Sequence, residues 1–307
     1  MKIIDTATTR AALGFDRLVP ALAQMFASGC ESPPRHVHSL PVFTVLIMPA
    51  WQTGRYLGIK TVTIAPGNSG LGLPGLHSTY LLYDATTGVP LAQMDGNEIT
   101  SRRTAATSAL AASHLVRPEA RRLLVVGAGR VASLLAEAYC SVLPIEQVTV
   151  WSRKPEAAAT LAAQWRERGI DAHATDNLAQ AVRQADIVSS ATLATEPLIH
   201  GECLQLGSHL DLIGSFTPAM READDDCFRG AHIYVDTEEA CHKSGELLGP
   251  ISRGVFAASD LGGTLAQLCR GELTVRASAT GRTVFKSVGT ALEDLAAAVL
   301  VYESHVA

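Results

Sequence analysis

Residues Arg121–Val131 read RRLLVVGAGRV, a short apolar run that ends in a glycine-rich turn. A continuous apolar run of this length, bounded by glycine, fits a strand buried on both faces, as in a parallel sheet covered by helices. The turn has the form GxGxxA over Gly127–Ala132. Gly127 permits the tight bend, Gly129 lets backbone N–H groups approach an anion, and Ala132 lets the following helix pack close to the sheet. The next strand signal is VTVWSRK at Val148–Lys154. It ends in Ser152, Arg153 and Lys154, where a site for an unphosphorylated ribose usually carries an acid. Together these features imply a bound dinucleotide cradled by Gly127, Ala128, Gly129, Arg130 and Val131. A 2′-phosphate would lie on Ser152, Arg153 and Lys154, because arginine suits a phosphate by charge and by its forked geometry. NADPH is the expected cofactor, with NADH as the alternative. The competing reading of the basic trio is a solvated turn.

Strand and helix signals alternate beyond Arg117–Pro118: LLVVG, Val131–Tyr139, VTVW, Pro155–Arg168, ADIVSSAT, HLDLIGSF and HIYVD. The alternation predicts an α/β fold with a Rossmann doubly wound parallel sheet over residues 118–283. Residues 1–117 read as an α+β domain. Asp16–Ser28 is helical, and Val42–Trp51, Tyr56–Ile64 and Ser78–Asp95 are strands with a hairpin turn at Thr87–Gly88. A Gly/Pro-rich loop separates the last two, and an Ala-rich helix covers Glu98–Leu115. A final helix from Val284, within residues 284–307, is expected to return to this first domain.

With 307 residues, 47% hydrophobic and 18% charged, the chain has ample core for two domains. A net charge of −5 gives no electrostatic case for nucleic acid or an anionic membrane. No apolar run approaches the roughly 20 residues that span a bilayer. MKIIDTATTR has no secretory apolar core, so a cytoplasmic location is expected. The six cysteines are scattered without a CxxC pair, as in a reducing compartment. His36 and His38 lack a second ligand cluster, so no metal is expected. Ser215 is not in a GxSxG elbow, and Asp224–Asp226 reads as a solvated helix face.

Six stretches carry a family resemblance: PPRHVH (Pro33–His38), LGIKTV (Leu57–Val62), DGNEITSRRTAATSALAA (Asp95–Ala112), VVGAGRVA (Val125–Ala132), ATLATEPLI (Ala191–Ile199) and VFKSVGTALEDLAAA (Val284–Ala298). Over nearly its whole length the chain resembles the ornithine cyclodeaminase/mu-crystallin family. The resemblance implies a homodimer with an N-terminal substrate-binding and dimerisation domain and a C-terminal Rossmann domain. It also implies that Arg35, Lys60 and Arg103 hold a substrate carboxylate, and it adds Thr192 and Ser287 to the cofactor contacts. Elementary chemistry agrees for Lys60, since a cation within an apolar strand needs a partner. The competing reading of Arg35 and Arg103 is a structural ion pair with Asp95 or Glu98. Arg102 projects from a different part of the helix and has the weaker claim.

One departure discriminates within the family. Ammonia-releasing members carry an acid in a GxDxP segment, and here the segment is GSFTP with Phe216 at the acid's position. Phenylalanine cannot move a proton. The resemblance therefore points to the reductase branch: reduction of 1-pyrroline-2-carboxylate to L-proline, and of 1-piperideine-2-carboxylate to L-pipecolate. Clustered cations oppose a protonated imine, so an offsetting acid is expected. Asp95 is the candidate, against a helix-capping role. His77 is a candidate proton donor, against a solvated loop histidine. The alternatives are an ornithine cyclodeaminase, an alanine dehydrogenase-like enzyme, or a non-catalytic binding protein.

Overall fold

Alternation of apolar and polar residues builds the first sheet. The computed structural model describes residues 1–275 and 280–306, and the chain divides into one unit of residues 1–103 plus the chain from Thr290 onward, and a second of residues 104–289. The first unit begins with β1 (Lys2–Ile3), α1 (Thr6–Ala12) and α2 (Phe15–Ser28), followed by β2 (His36–Ser39), β3 (Thr44–Trp51), β4 (Tyr56–Ile64), β5 (Leu76–Asp84), β6 (Pro90–Asp95) and α3 (Gly96–Leu115). The strands pair in the order β1-β6-β5-β4-β3-β2. Gly58, Lys60 and Val62 on β4 are buried while their neighbours are half-exposed, the period of a sheet covered on one face. α2 buries Phe15, Leu18, Val19, Leu22, Met25 and Phe26, a helical stripe. It packs on the C-terminal helix, which in turn lies on β3, β4 and β5.

The second unit contains β7 (Arg122–Val126), α4 (Ala132–Cys140), β8 (Gln147–Trp151), α5 (Pro155–Glu167), β9 (Ala172–Thr175), α6 (Leu178–Gln184), β10 (Ile187–Ser190), β11 (His209–Leu212) and β12 (His232–Val235). α7 (Ala240–Lys243), α8 (Gly245–Ser252), β13 (Gly263–Thr264), α9 (Leu265–Cys269) and β14 (Thr283–Lys286) complete it. The eight strands run parallel in the order β13-β12-β14-β11-β10-β7-β8-β9. β10, β11 and β14 are buried at every residue, as strands covered on both faces must be. The order reverses around β7, which lies between β8 and β10, so a switch point opens at its carboxyl end. The last element, α10 (Ala291–Val306), belongs to the first unit.

Several features differ from the sequence reading. Val284–Lys286 is part of strand β14, and the final helix starts only at Ala291. A short apolar run is ambiguous between strand and helix, and Gly289 at φ +75° breaks the chain between the two elements. The units divide inside the unbroken helix α3, after Arg103, and at Gly289–Thr290, not at Arg117–Pro118 and residue 284. His77 lies within β5, since the Gly/Pro-rich loop ends earlier than its composition suggested. Asp225–Cys227 forms a 3₁₀ turn in which Asp225 pairs with Arg221 and Arg253, so it is not a free solvated face. No helix among the described residues is long and apolar enough to cross a membrane.

Candidate active site

Strand register brings the first unit's chemistry together. Lys60 on β4 lies opposite Met48 of β3 and Tyr80 of β5, and Tyr80 lies opposite Met94 of β6. All four point to the covered face and are buried. Two acids of α10 descend on this row. Lys60 Nζ is 2.6 Å from Asp294 Oδ2, with Lys60 2% and Asp294 0% exposed. Lys60 also donates to Thr100 Oγ1 at 3.2 Å. Arg103 reaches the same acids from α3, donating from Nε to Asp294 Oδ1 at 2.9 Å and from Nη1 to Glu293 Oε2 at 2.7 Å. These two cations and two carboxylates are all buried.

Burial lowers Lys60 to about 8, while Asp294 opposes that shift and Arg103 adds to it. Burial pushes Asp294 up, but Lys60 and Arg103 pull it further down, so it stays ionised. Burial likewise draws Arg103 down, and its two carboxylates more than reverse the effect. Burial raises the Tyr80 phenol well above its ordinary value. Its hydroxyl has no hydrogen-bond partner among the described residues.

The other sequence candidates scatter. Arg35 is half-buried and immediately precedes His36, which pairs with Ile47, so its backbone stands level with Met48 at the end of the Lys60 row. His77 is exposed and alternates with Ser78 and Tyr80, so it lies on the opposite face from Lys60. Asp95 accepts from the backbone N–H of Asn97 and Glu98 and from the Thr6 hydroxyl, a helix-capping role at the start of α3. Arg102 donates to the Leu13 carbonyl and stacks over Phe15. Sequence reasoning missed Glu293 and Asp294. Two adjacent acids inside the apolar run ALEDLAAAVLVY were the available signal.

In the second unit, the turn from β7 to α4 has the shape an anion site needs. Gly127 has φ +117°, and a side chain there would meet the Ala191 carbonyl at 2.6 Å. A Cβ added at Gly129 would meet no atom within 4 Å, so the backbone is open to an approaching group. Ala128, Gly129, Arg130 and Val131 lead directly into α4, a nine-residue helix, and a helix N-terminus is a favourable place for an anion. Arg153 and Lys154 are exposed after β8 and form no ion pair among the described residues, and the Ser152 hydroxyl accepts from Lys154 N. These residues fit a dinucleotide: the start of α4 would suit its phosphates, and the exposed basic pair a further one.

A buried polar network lies just beyond β10, β11 and β14. Glu222 Oε1 accepts from Ser190 Oγ, Thr192 N and Thr192 Oγ1, and Oε2 accepts from Gly214 N. Glu246 accepts from the backbone N–H of Glu222 and Ala223. Lys286 donates to the Leu212 carbonyl, and the charges of Glu222, Glu246, Asp236 and Asp211 surround it. Thr192 is thus fixed by Glu222, while Ser287 is buried with its N–H on Leu212. Phe216 follows in the turn after β11, 47% exposed.

The sequence model of the ornithine cyclodeaminase/mu-crystallin family matches residues 8–307. The Delta(1)-pyrroline-2-carboxylate reductase of Paracoccus denitrificans is 43% identical over 257 residues, which cover 83% of this chain and 81% of that protein. The structure of Thermococcus litoralis Delta(1)-pyrroline-2-carboxylate reductase in complex with NADH and L-proline matches with a TM-score of 0.94 at 28% identity, covering 100% of this chain and 98% of that one. An archaeal alanine dehydrogenase dimer with bound NAD matches with a TM-score of 0.94 at 29% identity, covering 100% and 96%. A family match over almost the full length, on a chain that carries both the glycine turn and the basic cluster, settles the affiliation: the chain belongs to the ornithine cyclodeaminase/mu-crystallin family.

Proposed function

We propose that this chain is an NAD(P)H-dependent oxidoreductase that reduces the C=N bond of 1-pyrroline-2-carboxylate to L-proline. The six-membered 1-piperideine-2-carboxylate, giving L-pipecolate, is the second substrate, because one ring methylene is discriminated by only about 1–3 kcal/mol. The observation that carries this reading is the buried Lys60–Arg103 cluster, in a chain 43% identical to a reductase of that activity.

When bound, the nicotinamide supplies the hydride that the imine carbon accepts. The protein must supply placement and one proton to the ring nitrogen. Arg35, Lys60 and Arg103 hold the carboxylate, with the planar guanidinium groups suited to a two-point grip. Lys60 is the proton carrier of the cluster. It is an ammonium at neutral pH, yet more acidic than a free lysine because it is buried. Arginine does not release its proton, and the Tyr80 phenol is pushed up. Phe216 leaves the segment after β11 without the acid that ammonia release requires.

NADPH is the cofactor of this reading, supported by Arg153 and Lys154, with NADH also accepted. A homodimer is part of it, supported by the dimeric archaeal relative. A cytoplasmic location is supported by six free thiols. The second reading is an alanine dehydrogenase-like activity, favoured by the match to that structure. The test is oxidation of NADPH by the purified protein with 1-pyrroline-2-carboxylate, the product resolved as L-proline. Turnover supports the reductase. Turnover only with pyruvate and ammonia supports the second reading, and ammonia release from ornithine refutes both.

A further inference from the structure

We infer that Asp294, with Glu293 beside it, is the positioning residue of this site: it fixes the Lys60 ammonium and the Arg103 guanidinium in place and balances their charge. The mechanistic part rests on the reductase reading, whereas the geometric part does not. Asp294 spans both cations, Oδ2 toward Lys60 and Oδ1 toward Arg103. Glu293 takes the remaining Arg103 contact. Asp95, the acid that the sequence offers for this purpose, is committed to the start of α3.

The arrangement is not needed for packing alone. A buried ion cluster is commonly replaceable by apolar side chains of similar volume without loss of stability. Apolar packing cannot keep an ammonium protonated out of water. Among the described residues, the groups around Lys60 include Asp294 and Glu293 from α10, Arg103 and Thr100 from α3, and Tyr80 from β5, with Cys30 near Tyr80 and Arg35 level with the end of the row. Only the two carboxylates among them favour the charged lysine. Without Asp294, the Lys60 ammonium loses the larger of its two acidic counter-charges and still faces Arg103, so it sheds its proton at lower pH. The same acid holds the Lys60 midpoint near 8 against burial.

The experiment uses full-length protein with 13C-labelled lysine. Lysine occurs at five positions, so the Lys60 signal is identified by its loss in Lys60→Arg. Its titration midpoint is compared in wild type, Asp294→Asn and Asp294→Glu. The expected result is a fall of about one pH unit or more in Asp294→Asn, restored in Asp294→Glu. kcat/KM for the imine falls about tenfold or more and its alkaline limb moves with the lysine, while KM for NADPH changes little. An unchanged Lys60 midpoint in Asp294→Asn overturns the inference. Should Asp294→Asn fail to fold, Glu293→Gln decides: a midpoint shift smaller than half a unit supports Asp294 as the controlling acid, and a larger one overturns it. The titration needs no substrate, so absence of imine turnover in wild type refutes the reductase reading separately.

Discussion

Gly58 and Tyr80 share one volume: a Cβ at position 58 would lie 1.9 Å from the Tyr80 hydroxyl. Glycine is required there because the phenol of the neighbouring strand lies across it. Gly58→Ala is therefore expected to cost about 1–3 kcal/mol by overpacking. Tyr80→Phe removes a buried hydroxyl without a partner and is expected to be neutral or mildly stabilising. Thermal unfolding of both variants and the double variant checks this, and Tyr80→Phe should relieve part of the Gly58→Ala loss.

Arg103→Met removes the guanidinium that Glu293 Oε2 and Asp294 Oδ1 hold in the buried cluster. The expected loss is about 3–5 kcal/mol in denaturant unfolding, together with collapse of imine turnover. Arg103→Met with Glu293→Gln should recover part of the stability and none of the activity. Recovery of both would show that the arginine serves only to neutralise the acid.

The two glycines of the β7–α4 turn are expected to separate folding from binding. Gly127→Ala is strained by φ +117° and the Ala191 carbonyl, and should lower stability. Gly129→Ala meets no atom, so its unfolding midpoint should match wild type. Its affinity for NADPH, measured by fluorescence titration, should fall about tenfold or more, because the added methyl occupies the approach to the phosphates.

Arg153→Ser tests the phosphate assignment. KM for NADPH should rise about tenfold while KM for NADH changes little, since a charge-assisted contact of this kind contributes about 1.5–3 kcal/mol. An equal rise for both cofactors would place Arg153 elsewhere on the dinucleotide.

The sheet and the turn were legible because their signals are local. RRLLVVGAGRV contains its strand, its bend and its helix start in one stretch, and YLGIKTVTI shows its alternation directly. The pairing of Lys60 with Asp294 was not legible, because the partners are far apart in sequence and meet through the register of β4 and the docking of α10. Asp95 and His77 stand out in the sequence for the opposite reason. They sit beside recognisable motifs, but one is used as a helix cap and the other alternates onto the far face. From Val284 on, β14 reads as helix in the sequence because its buried residues carry no period.

Glu246 sets a pH dependence of stability. Burial raises it to about 7, with Glu222 adding to the shift and Lys286 opposing it. Between its ordinary value near 4.5 and 7, the folded protein holds a proton that the unfolded chain releases. Stability contributed by this group therefore falls as pH rises through that window, by at most about 1.4 kcal/mol per pH unit. Asp211, raised to about 6 by burial, acts in the same direction. Denaturant unfolding between pH 5 and 7.5 should show a shallower decline in Glu246→Gln than in wild type.

Among the described residues, strand β14 is the last strand in chain order, and it sits inside its sheet, between β12 and β11. During synthesis, the parallel sheet is split into two pieces until residues 283–286 leave the ribosome. The first unit waits in the same way for α10, which carries both acids of the lysine cluster. Neither unit's fold is complete until these late elements have been made. A nascent chain stalled before residue 283 would expose the flanks of β11 and β12 to chaperones or to one another.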